Sequence, residues 1–454
     1  MTKKVQTSHI FVIGLMLFAL FFGAGNLIFP AMLGQTAGSN VWIATAGFLI
    51  TGVGVPLLGV LALGVSGSDD LQAMASRVHP LFASVYTFIL YLAIGPLFAL
   101  PRSGSVSFEI GIKPFVGENS GHLPLIIFTI LFFGITCVLS LNPTKIVDVV
   151  GKFLTPIKLT FIGILVVTAV IKPIGDIQAP TQEFVTNSFF KGFQQGYLTM
   201  DTLAAFVFGI IIINSIKEKG VSDKKEIISI CIKAAIIAAV VLIAVYTSLA
   251  YMGASSVSKL GHLENGGEVL SKVANYYFGS LGNLLLGLMI TIACLTTSVG
   301  LTTACSSYFH KVFPQISYKT FAVILATFSA LIANLGLTEL IAVSVPVLTA
   351  IYPLAIMLIV LTFLHPLFKG RSEVYQVSLL FTFIVSIFDG LNAANLKVDA
   401  INSLFSSLPL YDAGLGWIVP ALIGALLGYG ISLLRTKNNS NVNNSHDLAR
   451  KKTS

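Results

Sequence analysis

This sequence is short of charge. Only 10% of its 454 residues are Asp, Glu, Lys or Arg, and none occurs between Ile10 and Ser68. A soluble domain carries about 25%, because water must solvate its surface. The deficit excludes a soluble fold. With 55% hydrophobic residues and a mean hydropathy of +0.89, most of the surface must face lipid. Cysteine is scarce as well: Cys137, Cys231, Cys294 and Cys305 all lie inside apolar runs, match no metal spacing and read as small core residues. The chain also lacks an H-E-x-x-H or comparable cluster, and its Asp, Glu and His are scattered. Both facts argue against the alternative class of an intramembrane enzyme.

What is present is a series of long apolar runs. One spanning helix needs about 20 apolar residues, so the uncharged stretch alone holds two, with a turn at Gly34–Asn40. Lys3 and Lys4 before the first run imitate a secretory leader. The run exceeds a leader core of about 7–15 residues and has no small-x-small site before Gly34, so it reads as a retained first helix. The runs predict an all-α polytopic membrane protein of about twelve transmembrane helices. These fall near 9–34, 40–65, 80–111, 122–142, 145–172, 190–216, 226–253, 280–310, 318–337, 340–365, 373–393 and 414–435.

With the N-terminus inside, 18 basic residues fall on the cytoplasmic side and 6 outside. That bias predicts both termini in the cytoplasm. The net charge of +8 is thereby absorbed by topology and implies no nucleic-acid partner. The lipid bilayer is the evident partner, and no obligatory protein partner is implied. The polar tail, 436–454, is expected to be disordered.

Two runs contain interruptions that a lipid anchor has no use for. The first reads F-F-G-A-G-N-L-I-F-P, Phe21 to Pro30; the sixth reads F-Q-Q-G-Y-L-T-M-D-T-L-A-A, Phe193 to Ala205. Glycine inside a helix costs about 1 kcal/mol relative to alanine, and the second run adds a carboxylate, Asp201, at similar depth. If helices 1–5 (9–172) form one repeat and helices 6–10 (190–365) a second, the odd number of spans inverts one half against the other. Spans 11–12 (373–435) follow, and 1–8 precede. The breaks then open each half, as at the midplane substrate sites of inverted-repeat transporters.

Such a site suits a zwitterion. The half-helix starting near Asn26 turns N–H groups and a positive dipole end toward a carboxylate, and the one ending near Phe22 offers carbonyls to a cation. The predicted substrate contacts are Gly23, Ala24, Gly25, Asn26, Tyr197, Thr199 and Asp201. The competing reading is that these glycines only let helices pack closely.

The stretch G-A-G-N-L-I-F-P resembles the first-helix signature of the bacterial branched-chain amino acid:cation symporters, the system II carriers of the leucine-transporter-fold superfamily. G-P-L-F-A-L-P-R-S-G-S-V-S-F-E, Gly95 to Glu109, is similar to their third helix. The resemblance runs from about residue 8 to 435. It implies a five-plus-five inverted repeat with two extra C-terminal helices and discontinuous helices 1 and 6. It also implies uptake of leucine, isoleucine and valine by symport and alternating access, with no cofactor and with Na+ or H+ as coupling ion. In C-L-T-T-S-V-G-L-T-T, Cys294 to Thr303, Thr296 and Thr297 match the hydroxyls with which sodium-coupled members hold Na+; Ala293 and the carbonyls of Ala19 and Phe22 complete that set. Hydroxyls also bond back to their own helix, which is the competing use.

Three charged residues inside spans carry further expectations. Lys158 in helix 5 either replaces Na+ with its ammonium, as in proton-coupled relatives, or snorkels to the inner interface. Asp201 binds the substrate ammonium, joins a proton relay, pairs with Lys158, or caps the second half of helix 6. Arg102, about 22 residues into helix 3, is either an outer gate facing Asp201 or Glu109 or a snorkelling residue. Phe22, Leu27, Phe98, Tyr197 and Phe206 are candidate walls for a branched side chain. The alternatives are a carrier of another small neutral amino acid or solute with this fold, and a channel, although two isolated breaks do not make the continuous lining a channel needs.

Overall fold

The computed structural model describes residues 7–452 apart from 69, 117–120, 142–159 and 397, with side chains described from 8 to 435. Among the described residues every regular element is helical. Lipid offers a backbone N–H no partner, so each span must satisfy its own. The first expected span is two helices, α1 (Thr7–Phe21) and α2 (Ala24–Ala37). A turn at Gly38–Asn40 separates α2 from α3 (Val41–Leu49), a π turn (Ile50–Gly54) and α4 (Val55–Ser66). Ala24–Ser66 is 43 residues, about 65 Å if straight at 1.5 Å per residue and so twice a bilayer core. Gly38 divides it with φ +48, a left-handed conformation glycine tolerates.

A short α5 (Leu71–Ala75) leads to the third span, α6 (Pro80–Leu92), a π turn (Ala93–Leu97) and α7 (Ala99–Gly111). Next come α8 (Leu123–Ser140), α9 (Thr160–Ile171) and the short α10 (Gln182–Val185). The sixth span is α11 (Ser188–Gln195), a 3-10 turn (Gly196–Thr199) and α12 (Asp201–Glu218), bent by 48°. The remainder is α13 (Lys224–Leu260), α14 (Gly266–Val312), α15 (Tyr318–Ala333), α16 (Leu337–Leu364), α17 (Ser372–Ala393), α18 (Asp399–Phe405) and α19 (Ile418–Lys452). Among the described residues eight helical stretches are long and apolar enough to cross a membrane, and the bent pair makes nine. Three shorter apolar helices, Ser8–Phe21, Thr160–Ile171 and Tyr318–Ala333, accompany them. This is a multi-pass membrane protein. Its outer faces are apolar, with Ile130 and Leu131 on α8 and Ile236 and Val240 on α13 exposed, the reverse of a soluble surface.

Spans expected at 318–337, 340–365 and 373–393 meet α15, α16 and α17 to within four residues at each end. Two expectations are corrected. Span 3 is not continuous: Gly95 leaves helical geometry (φ −91, ψ −122) just before Pro96, which cannot donate its nitrogen to the helix. The helix expected at 280–310 begins earlier, at Gly266, and turns at Gly279 (φ +60, ψ −155). The backbone of α19 runs on to Lys452. Much of the helix expected at 145–172 lies outside the described residues.

The broken spans are each clasped by a neighbour. Both halves of the first span, α1 and α2, lie along α13, and both halves of the sixth lie along α3–α4. The fits are tight enough to require glycine. A Cβ on Gly34 would sit 1.9 Å from the Ala250 carbonyl oxygen, and one on Gly253 1.9 Å from that of Ala31. The α3–α11 contact repeats the device, Gly47 against Phe189 and Gly192 against Ala44, each at 1.9 Å. The packing role of small residues is therefore real, but it falls to these glycines and not to Gly23 or Gly25.

Candidate substrate and ion site

Helix 1 stops at Phe21, and Gly23 is extended (φ −111, ψ −163) before α2 starts at Ala24. The unwound turn is stabilised from within: Gly23 N–H donates to Asn26 Oδ1 at 3.1 Å. The same side chain reaches outward, its Nδ2 donating to Asp201 Oδ2 and to Tyr246 Oη. At the second break Met200 takes a left-handed conformation (φ +65), strained by about 1–3 kcal/mol for a non-glycine residue. Asp201 then opens α12, and its N–H donates to Thr199 Oγ1 at 3.3 Å. Thr202 N–H, another unpaired donor of that first turn, finds Tyr352 Oη at 3.1 Å. The two broken spans thus meet through Asn26 and Asp201.

A third break serves the same place. The turn at Ala93–Leu97 leads into α7, whose Arg102 is 3% exposed. Its Nη1 donates to the Leu198 carbonyl at 2.5 Å, and its guanidinium lies 5.1 Å from the centre of the Phe29 ring. Arg102 therefore does not snorkel to an interface; it bridges span 3, the unwound part of span 6 and the second half of span 1. Glu109, its other expected partner, is instead held by Lys113 at 2.6 Å.

These groups line a partly open cavity of about 50 Å³. Its lining combines polar residues, Asn26, Arg102, Ser103, Thr199, Asp201 and Thr297, with apolar ones, Leu20, Phe21, Ile94, Ala204, Phe208 and Leu301. A water needs about 10–15 Å³ of such space, so the cavity holds a few waters and must widen to take an amino acid.

Of the expected substrate residues, Gly23, Ala24, Gly25, Asn26, Thr199 and Asp201 line this cavity, and Tyr197 does not. Tyr197 packs behind it, its ring 4.4 Å from that of Tyr352. None of the expected pocket walls Phe22, Leu27, Phe98, Tyr197 and Phe206 lines it. One residue turns a helix by about 100°, so Phe21 faces the cavity while Phe22 stacks on Phe18 at 4.9 Å. Thr297 lines the cavity and lies against Gly23, with its hydroxyl 3.7 Å from where a Gly23 Cβ would stand. Thr296 and Thr297 both donate to the Ala293 carbonyl, at 2.7 and 3.2 Å, and Ala19, Phe22, Ala293 and Thr296 lie outside the cavity lining. Lys158 lies outside the described residues. Sequence reasoning missed Tyr246 and Tyr352, tyrosines in otherwise apolar spans whose hydroxyls need a buried partner.

This fold has parallels among solved transporters. Mhp1, a nucleobase-cation-symport-1 family transporter with bromovinylhydantoin bound, superimposes with a TM-score of 0.63 at 12% identity, covering 94% of this chain and 93% of that one. MhsT in complex with L-phenylalanine gives 0.57 at 15% identity over 93% and 98%. These likenesses establish the leucine-transporter-like fold. In sequence, the branched-chain amino acid permease BrnQ of Bacillus subtilis is 65% identical over 438 residues, 96% of this chain and all of the relative. The branched-chain amino acid transport system 2 carrier protein of Pseudomonas aeruginosa is 44% identical over 91% of this chain and 94% of its own length. A family model described as branched-chain amino acid transport protein matches residues 6–435, the whole membrane portion with both breaks and Arg102, and this chain belongs to that family.

Proposed function

We propose that this protein is a secondary transporter that imports leucine, isoleucine and valine into a bacterial cell by symport with a cation, through alternating access. The single observation that carries this is the junction of two unwound spans, Asn26 to Asp201, at a cavity lined by both polar and apolar groups. A zwitterion with a branched hydrocarbon side chain needs both kinds of lining. The names of the B. subtilis and P. aeruginosa relatives, a branched-chain amino acid permease and a branched-chain amino acid carrier, support the substrate class. A cavity with room for only a few waters supports a carrier that must rearrange over an open channel.

The five-plus-five inverted repeat is part of this reading. It is supported by the exchange of partners, span 1 along span 7 and span 6 along span 2, which an inversion relating helices 1–5 to 6–10 requires. The charge bias along the sequence supports both termini in the cytoplasm and residence in the plasma membrane.

For the coupling ion we favour Na+ held by Thr296, Thr297 and the carbonyls of Ala19, Phe22 and Ala293. The donors are all oxygen, as a hard monovalent cation prefers, and Thr297 touches the break that would carry its movement to the substrate. Proton coupling through Lys158 is the competing case. Purified protein in liposomes, given an inward Na+ gradient or an inward H+ gradient separately, should accumulate radiolabelled leucine against its concentration under one and not the other. Downhill flux alone under both would overturn the symport reading.

A further inference from the structure

Two ionisable side chains, one basic and one acidic, line one membrane-buried cavity without pairing. Arg102 is 3% and Asp201 4% exposed, both line the cavity, and no direct ion pair joins them among the described residues. Charges in hydrocarbon are kept where they bind each other, water or a substrate. A guanidinium carries five N–H donors. Among the described residues Arg102 spends one in a hydrogen bond, on the Leu198 carbonyl, and rests a face on Phe29. Asp201 is already oriented, with Asn26 and Tyr246 both bonding to Oδ2. A guanidinium on span 3 and a carboxyl group at the break of span 6, lining one cavity together with apolar side chains, are complementary to a molecule bearing both charges and a hydrocarbon tail.

We infer that Arg102 anchors the substrate carboxylate and Asp201 its ammonium, so that the zwitterion is recognised by two formal protein charges and not by main-chain groups alone. This rests on reading the cavity as the amino-acid site. A carboxylate is a stronger acceptor for a guanidinium than a neutral carbonyl and can be held by two parallel N–H groups. Substrate entry therefore replaces Leu198 on Arg102, releasing the unwound segment of span 6 and opening the room the cavity lacks. Solutes missing either charge leave one protein charge buried and unpaired, and are rejected.

The test uses the purified full chain in detergent and competition against radiolabelled leucine. Failure of wild-type protein to bind any leucine would undo the substrate reading itself, whatever Arg102 does. Given leucine binding, leucinol (no carboxylate) and 4-methylpentanoate (no ammonium) should compete roughly 100-fold more weakly. Arg102→Gln should weaken leucine about 10- to 150-fold, the worth of a charged hydrogen bond, and leave leucinol unchanged, so the preference collapses. Arg102→Lys should restore part of it. A role in holding the bundle together would weaken both ligands alike. Wild-type affinity for leucine in Arg102→Gln, retained preference over leucinol, or equal binding of leucine and leucinol by wild-type protein would each overturn the inference. Should Arg102→Gln not fold, the wild-type protein labelled with guanidino-15N arginine decides. Of its five arginines, the one lost in Arg102→Lys should shift on adding leucine and not on adding leucinol; no shift with leucine overturns the inference.

Discussion

Asn26 and Asp201, 175 residues apart in the chain, share a hydrogen bond in which the side-chain amide on one broken span donates to the carboxylate on the other. The same amide group holds its own break, accepting from Gly23 N–H. Asn26→Leu removes all of these bonds at once and leaves a carboxylate with fewer donors, each charged hydrogen bond being worth about 1.5–3 kcal/mol. Leucine accumulation in liposomes should fall at least roughly 100-fold, while the protein still inserts and elutes as a single species. Wild-type accumulation in this variant would remove the junction from the mechanism.

Thr297 and Thr296 are adjacent in sequence but differ in position, since Thr297 touches the first break and the cavity. Thr297→Val should raise the cation concentration needed for half-maximal leucine uptake about tenfold or more, the worth of one ligand hydroxyl. Thr297→Ser, which keeps the oxygen, should stay near wild type. An unchanged cation dependence in Thr297→Val would count against the ion site.

Close packing around the breaks makes a stability prediction. Gly34→Ala drives a methyl group into the Ala250 carbonyl 1.9 Å away, and overpacking typically costs about 1–3 kcal/mol. Its melting temperature in detergent should fall by several degrees. Gly134→Ala, on α8 with nothing within 4 Å of the new methyl group, should not fall. Equal melting of the two variants would show that the helix clasp is looser than described.

Outside the spans, Lys311 Nζ meets Asp70 Oδ2 at 2.9 Å, tying the end of α14 to the start of α5. Partial burial pulls the Asp70 carboxyl upward, but the Lys311 hydrogen bond and the Ala73 N–H outweigh it and hold the group below its ordinary 3.8. A depressed carboxyl stabilises the fold above that ordinary value and loses the contribution as pH falls through its folded value. With Lys311 67% exposed, the pair is worth less than about 1 kcal/mol. The small melting difference between wild type and Asp70→Asn should be present at pH 7, shrink toward pH 3 and shrink in 1 M salt. A difference that grows on acidification would reverse the assignment.

A multi-pass helical membrane protein is legible from composition and local order, since a deficit of charge and runs of apolar residues need no tertiary contact to be seen. The unwinding of spans 1 and 6 is legible too: glycines next to Asn26, and a carboxylate at Asp201, are locally out of place in a lipid-facing helix. What meets at those breaks depends on tertiary packing. Tyr246 reaches Asn26 across 220 residues, and Arg102 reaches Leu198 across 96; no spacing rule encodes such distances. The cavity walls escaped for the same reason. Phenylalanine on every side of a span is equally at home in lipid or in the core, and only the packing of α1 against α12 and α13 turned Phe21 inward while its neighbour Phe22 packed on Phe18.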